Sequence, residues 1–259
     1  MLDIVSASPV ASNLPEKERQ LPTHISLILC AIGLPGVIAM SWYVAMRLPR
    51  GYLPEWALPL IGGVQSSLLL VGAVILGAWL GPRVGLGAPL LQALLQRKKL
   101  RSVWRNVWLP GVSAGVMGAA WMVTLAQLVP PDVLPGDPMQ ALPLWVRLLY
   151  GGISEELLAR WGLMSMVMCG LWHLLQPRGG MPKAVVVWMA IVLAAVLGSA
   201  GHLPAAIGLM GSLSMPLVIY VVISQAAYGV LAGFLFWRYG LEAAMLAHVL
   251  ALLLSHGLT

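Results

Sequence analysis

The sequence predicts an all-α fold: a polytopic transmembrane helix bundle of about seven to eight membrane helices around a polar intramembrane site. Three observations predict it. The 259 residues are 59% hydrophobic and only 9% charged, against about 25% charged in an average soluble domain. The apolar residues fall into runs long enough to span a bilayer, which takes about 20 residues per helix. Eleven Trp and 28 Gly suit this reading, since Trp anchors at membrane interfaces and Gly is common in membrane helices. A water-facing surface cannot be dressed from this composition, so soluble function classes are excluded. The formal charge of +6 comes from cations in short loops between apolar runs, where they set topology and meet anionic lipid. No nucleic-acid motif accompanies them. Cys30 and Cys169 lie in separate apolar runs and read as small packing residues.

The elements follow in order. Residues 1–23 are polar and read as a cytoplasmic N-terminal tail. Residues 24–259 form the transmembrane domain. Spans are expected over His24–Met46 and Trp56–Leu80. "GAPLLQALLQ" reads as a short interfacial helix ahead of the densest basic stretch, "QRKKLRSVWR". The next span covers Val107–Val129, and the Pro-rich loop "PPDVLPGDPMQ" follows it. "ALPLWVRLLYGG" reads as a short apolar piece, re-entrant around Trp145, that Gly151 and Gly152 interrupt. A helix from Ile153 to Gln176 comes next, with Ser154 as its N-cap. Further spans cover Ala184–Ala200, Leu213–Trp237 and Leu241–His256. Arg83, Arg97, Lys98, Lys99, Arg101 and Arg105 put the second loop, and with it the N-terminus, in the cytoplasm; a bacterial cell membrane is the expected location.

Only nine acidic residues occur in the chain, and two stand together in "GGISEELLARWGLMS". Consecutive helical residues diverge by about 100°, so Glu155 and Glu156 face different ways. Glu156 and Arg160 stand at i, i+4 with the acid first, the favourable order for a pair. Glu155 has no partner on its own helix. Ionisable side chains inside a membrane face the bundle interior or a water-filled cavity, and a carboxylate held there is suited to activating water. His202, in "LGSAGHLPA", and His248, in "LEAAMLAHVLALLLSH", sit on two further helices. Together with Glu155 they form a constellation able to hold a water between a base and polar donors. His173 shares a face with Glu155 but lies about 27 Å along the helix, out of reach. Ser154 and Ser199 read as caps or packing groups, not nucleophiles.

"EELLAR", "GHLP" and "GLEAAMLAH" resemble, in order and spacing, the three motifs of the CPBP intramembrane proteases, the superfamily that includes the CAAX prenyl endopeptidases. The resemblance covers roughly Gly151 to the C-terminus, and the protease-like core is set at about residues 142–259. It implies that Glu155 is the base that activates water, His202 a group that binds and orients that water and His248 a stabiliser of the oxyanion, with Glu156 and Arg160 in support. It implies an intramembrane endopeptidase, with a membrane-embedded or lipidated protein or peptide as partner, including prenylated C-terminal peptides. Two positions depart from the family pattern. Gly198 stands where Phe is usual, and Leu252 stands where Asn or Asp is usual, one turn after His248. His256, a turn further, is a candidate to compensate.

No cofactor is expected. There is no HExxH, and the divergence of the two acids keeps both from one ion; zinc stays open at Glu155, His202 and His248, since three ligands and a water suffice. Two other functions compete with the protease. A non-catalytic membrane scaffold or bacteriocin-immunity protein would use the same cavity for binding, which Leu252 favours. A proton-coupled carrier would also need membrane carboxylates and histidines, but no inverted repeat is visible.

Overall fold

The structure, a computed structural model, describes residues 16–47, 54–128, 142–176, 180–203 and 214–258. The described residues are helical throughout, with no strand. Eight helices follow in order: α1 (Glu16–Ala45), α2 (Ala57–Leu80), the short α3 (Pro89–Leu95), α4 (Leu100–Leu128), α5 (Leu144–Leu175), α6 (Ala184–Ala200), α7 (Met215–Tyr239) and α8 (Leu241–Ser255). Five of them are long and apolar enough to cross a membrane, and α6 and α8 are shorter apolar helices. Leu68, Trp79, Val116, Val185 and Ile219 are all more than half exposed. Such an apolar exterior belongs in lipid, not water. The chain is an integral, multi-pass membrane protein.

Helix packing in a membrane relies on small residues that let backbones approach, and the bundle follows this rule where it matters for the site. Gly111 and Gly115 of α4 face α8. A Cβ added at Gly111 would lie 2.9 Å from Leu246 Cδ2 and 3.1 Å from the Ala243 carbonyl oxygen; one at Gly115 would lie 2.7 Å from Leu250 Cβ. On α8, Ala243, Ala247 and Ala251 are fully buried against them. This seam fixes the rotation of α8, and so the direction of His248. Antiparallel α6 and α7 close in the same manner, Gly229 against Ala195 and Gly233 against Ile191.

α3 docks on the turn that joins α7 to α8. Gly240 makes that turn at φ +95°, and Pro89 packs where its side chain would be. The Leu241 amide donates to the Gly87 carbonyl (3.0 Å). The Leu91 amide donates to Glu242 Oε1 (2.8 Å), so a carboxylate from α8 satisfies an orphan donor at the start of α3.

Several boundaries differ from expectation. α1 begins at Glu16, so residues 16–23 are helical; residues 1–15 lie outside the described set. α4 begins at Leu100 and takes up part of the basic stretch. The larger correction concerns α5. It runs unbroken through Gly151 and Gly152 for 32 residues, so the segment around Trp145 is its first turn and not a re-entrant piece. Ser154 is no cap: it is fully buried inside the helix, and its hydroxyl contacts the Gly33 carbonyl of α1 (2.7 Å) and the Leu149 carbonyl (3.1 Å). Gly152 is needed because Val249 of α8 occupies the space a side chain would take. The loop at 130–140 lies outside the described residues.

Candidate active site

Within α5 two stretches are wound as wide π turns, Tyr150–Glu155 and Leu157–Met164, with Glu156 between them. Such turns are rare and occur often at functional sites. Glu155 and Glu156 diverge from this point, as the sequence requires, and each meets a different histidine.

Glu155 lines a cavity of about 400 Å³ that is walled by α1, α2, α5, α6 and α7. His202, in the turn just past α6, places Nε2 3.3 Å from Glu155 Oε1. An ionised carboxylate only accepts, so Nε2 carries the hydrogen. Both side chains keep partial access, 16% for Glu155 and 25% for His202, and both line the cavity with Arg160, Ser199 and Gln225. The cavity wall is otherwise mostly apolar.

Glu156 turns the other way and is fully buried. Its Oε1 accepts from His248 Nδ1 at 2.7 Å, and its Oε2 lies 3.2 Å from Arg160 Nε. Glu156 is therefore shared by two groups, where the sequence assigned it to Arg160 alone. His248 is not aimed at Glu155 through Nδ1. Its other nitrogen points toward the wide turn: a Cβ added at Gly151 would lie 3.6 Å from His248 Nε2 and 3.1 Å from Leu252 Cδ1. A carboxylate on Nδ1 fixes the orientation of the ring and leaves Nε2 facing the wide turn.

Leu252 stands beside His248 and is buried (8% exposed), so an apolar side chain occupies the position one turn on. His256 does not compensate: it lies past the end of α8 and is exposed. His173 is also exposed, bonded back to the Cys169 carbonyl (2.7 Å) and away from the cavity. Ser199 donates to the Val196 carbonyl (2.7 Å) and has a packing role. Of the methionines, Met164 lines the cavity, Met168 is core and Met166 is exposed. Gly198 lines the cavity where the family carries Phe.

Among the described residues no three His, Cys, Asp or Glu side chains group as metal ligands; Glu155 and His202 form one pair, and His248 is held by Glu156.

Sequence reasoning missed Tyr228 and Gln225 of α7. The Tyr228 ring lies 4.6 Å from the His248 ring, and its hydroxyl is buried with no hydrogen-bond partner. The available signal was a Ser–Gln pair, one turn before a Tyr, in the middle of an otherwise apolar span.

Residues 137–254 match the family model described as type II CAAX prenyl endopeptidase Rce1-like. Over these residues the chain is similar to the CAAX protease family. A comparison with curated proteins and one with solved structures return no match. The CAAX protease-like domain holds both glutamate–histidine pairs, so the residues that carry the sequence motifs are also those that the fold brings together.

Proposed function

We propose that the chain is an intramembrane endopeptidase that hydrolyses a peptide bond of a membrane-anchored substrate, of the prenylated CAAX type, with a water activated by Glu155. The observation that supports this most is the Glu155–His202 pair at the wall of a largely apolar cavity. An ion pair with no task would be an expensive element at such a place.

In this reading the water lies against Glu155 and is held by His202. Its oxygen attacks the amide carbon, its proton passes to Glu155, and the carbonyl electrons move onto oxygen. His248, oriented by the bond from its Nδ1 to Glu156, presents Nε2 to that oxyanion. Glu155 then returns the proton to the leaving amine, and no covalent intermediate is needed. Arg160 holds the position of Glu156, and the N-terminus is cytoplasmic.

Glu155→Gln tests this. It is expected to abolish cleavage of a prenylated peptide in liposomes while the protein stays folded. Undiminished cleavage by that variant overturns the assignment. One stoichiometric zinc, removed together with activity, would overturn the metal-free chemistry.

A second reading, a non-catalytic binding protein of the bacteriocin-immunity type, is favoured by Leu252, which replaces a polar group beside His248. A biological effect that survives Glu155→Gln would select it.

A further inference from the structure

Leu252 poses a chemical problem for the proposed protease. An oxyanion in a site of this kind needs more than one donor, and losing a single donor costs on the order of 10²–10³ in rate in a well-studied protease. Apart from His248, the question is which group could take the place of a carboxamide or carboxyl at position 252.

The helix pairing of α6 and α7 identifies one. Gly229 packs on Ala195 and Gly233 on Ile191. The two helices are antiparallel, so one turn back on α7 brings Gln225 level with Ser199, three residues before His202. Gln225 and Ser199 both line the cavity that Glu155, Arg160 and His202 line. Ser199 is committed to the Val196 carbonyl. Gln225 has no hydrogen-bond partner among the described residues, and it stands mid-span in an apolar helix, where a free polar side chain is costly and generally functional. Its amide offers two donor hydrogens.

We propose that the Gln225 carboxamide is the donor to the scissile carbonyl oxygen that position 252 lacks. This rests on the endopeptidase reading above and adds a residue to it. When water attacks and the carbonyl electrons move onto oxygen, Gln225 Nε2 donates to that oxygen from α7 while His248 donates from α8. The amide neither gains nor loses a proton, so the proton inventory of the step is unchanged. Gln is one methylene longer than Asn, which lets it serve from the neighbouring helix.

The test is steady-state cleavage of a prenylated CAAX-type peptide in proteoliposomes by wild type, Gln225→Leu, Leu252→Asn and the double variant, with Glu155→Gln as control. Gln225→Leu is expected to lower kcat by on the order of 10²-fold and to leave KM within about twofold, since the donor acts on the oxyanion. Leu252→Asn in that background is expected to restore at least about tenfold, because it returns a donor to the site. Should Gln225→Leu fail to fold, Gln225→Glu keeps the length, removes the donors and is expected to show the same loss. A Gln225 variant that cleaves at the wild-type rate overturns the proposal, as does a loss that Leu252→Asn does not relieve. Those outcomes leave the endopeptidase reading standing. A wild type that does not cleave, or a Glu155→Gln that does, overturns both.

Discussion

Replacing Arg160 with Met removes one partner from a buried ion pair and keeps most of the side-chain volume. Arg160 is 5% exposed and Glu156 is fully buried, with 3.2 Å between Nε and Oε2. At that separation and an effective dielectric of about 20, the Coulomb attraction is roughly 5 kcal/mol. Stranding a buried charge by deleting its partner costs about 3–5 kcal/mol in measured cases, so the two lines of reasoning agree. His248 still bonds Glu156 in the variant and keeps the loss at the lower end, about 3 kcal/mol. Neutralising the acid as well should recover part of this, because Glu156→Gln leaves no bare carboxylate behind. The double variant Glu156→Gln/Arg160→Met is therefore expected to be more stable than the sum of the single losses by more than about 1 kcal/mol. Reversible unfolding in mixed micelles of dodecyl maltoside and dodecyl sulfate, run as a double-mutant cycle, reads that number. Single losses that add to within about 0.5 kcal/mol would refute the view that Glu156 and Arg160 act as one buried unit.

Two further predictions concern the scaffold. On α2, Gly77→Ala and Gly72→Ala should have opposite signs: a Cβ at Gly77 collides with the Trp161 ring and carbonyl, while one at Gly72 meets nothing within 4 Å. The first should cost about 1–3 kcal/mol by overpacking, and the second should gain up to about 1 kcal/mol from helix propensity, both measured in the same micelle titration. Glu242→Ala removes the acceptor of the Leu91 amide, so hydrogen exchange at Leu91 should speed up about tenfold, the equivalent of about 1.4 kcal/mol for a lost cap. Unchanged exchange there would mean that α3 is held by Gly87 and Pro89 alone.

Much of this architecture was legible in the sequence because a membrane allows few ways to satisfy backbone polar groups. The apolar run Ala184–Ala200 is the observed helix, and Trp56–Leu80 differs from α2 by one residue. The short helix within "GAPLLQALLQ" was also visible. What failed was the reading of Gly151–Gly152 as an interruption. Glycine marks a break only when nothing else requires it, and here Val249 and Leu252 of a distant helix require its small size. The site was half legible. The i, i+4 spacing gave Glu156 its arginine, and consecutive positions kept the two acids apart. Which histidine meets which acid depends on the rotation of α8 against Gly111 and Gly115 of α4, more than 130 residues earlier in the chain, and no local pattern encodes that. Gln225 and Tyr228 were overlooked because an isolated polar side chain in a span gives no motif, only a cost.

The wide turns of α5 also make the helix sensitive to length in a way that ordinary helices are not. Each such turn carries about one residue more than a standard turn accommodates. Deleting a single residue between Glu156 and Trp161, in the second wide turn, would let the backbone settle into regular winding, and everything after the deletion would swing by about 100° relative to what precedes it. Trp161 could then no longer reach the Val74 carbonyl, which its indole now meets at 3.0 Å, if the glutamates were to keep their histidines. The two ends of α5 would compete for one rotation. A substitution in this segment alters a contact, whereas a change of one in residue number sets the anchoring half of the helix against the reactive half. Chain length between Ser154 and Trp161 is thus under tighter constraint than the identity of most residues within it.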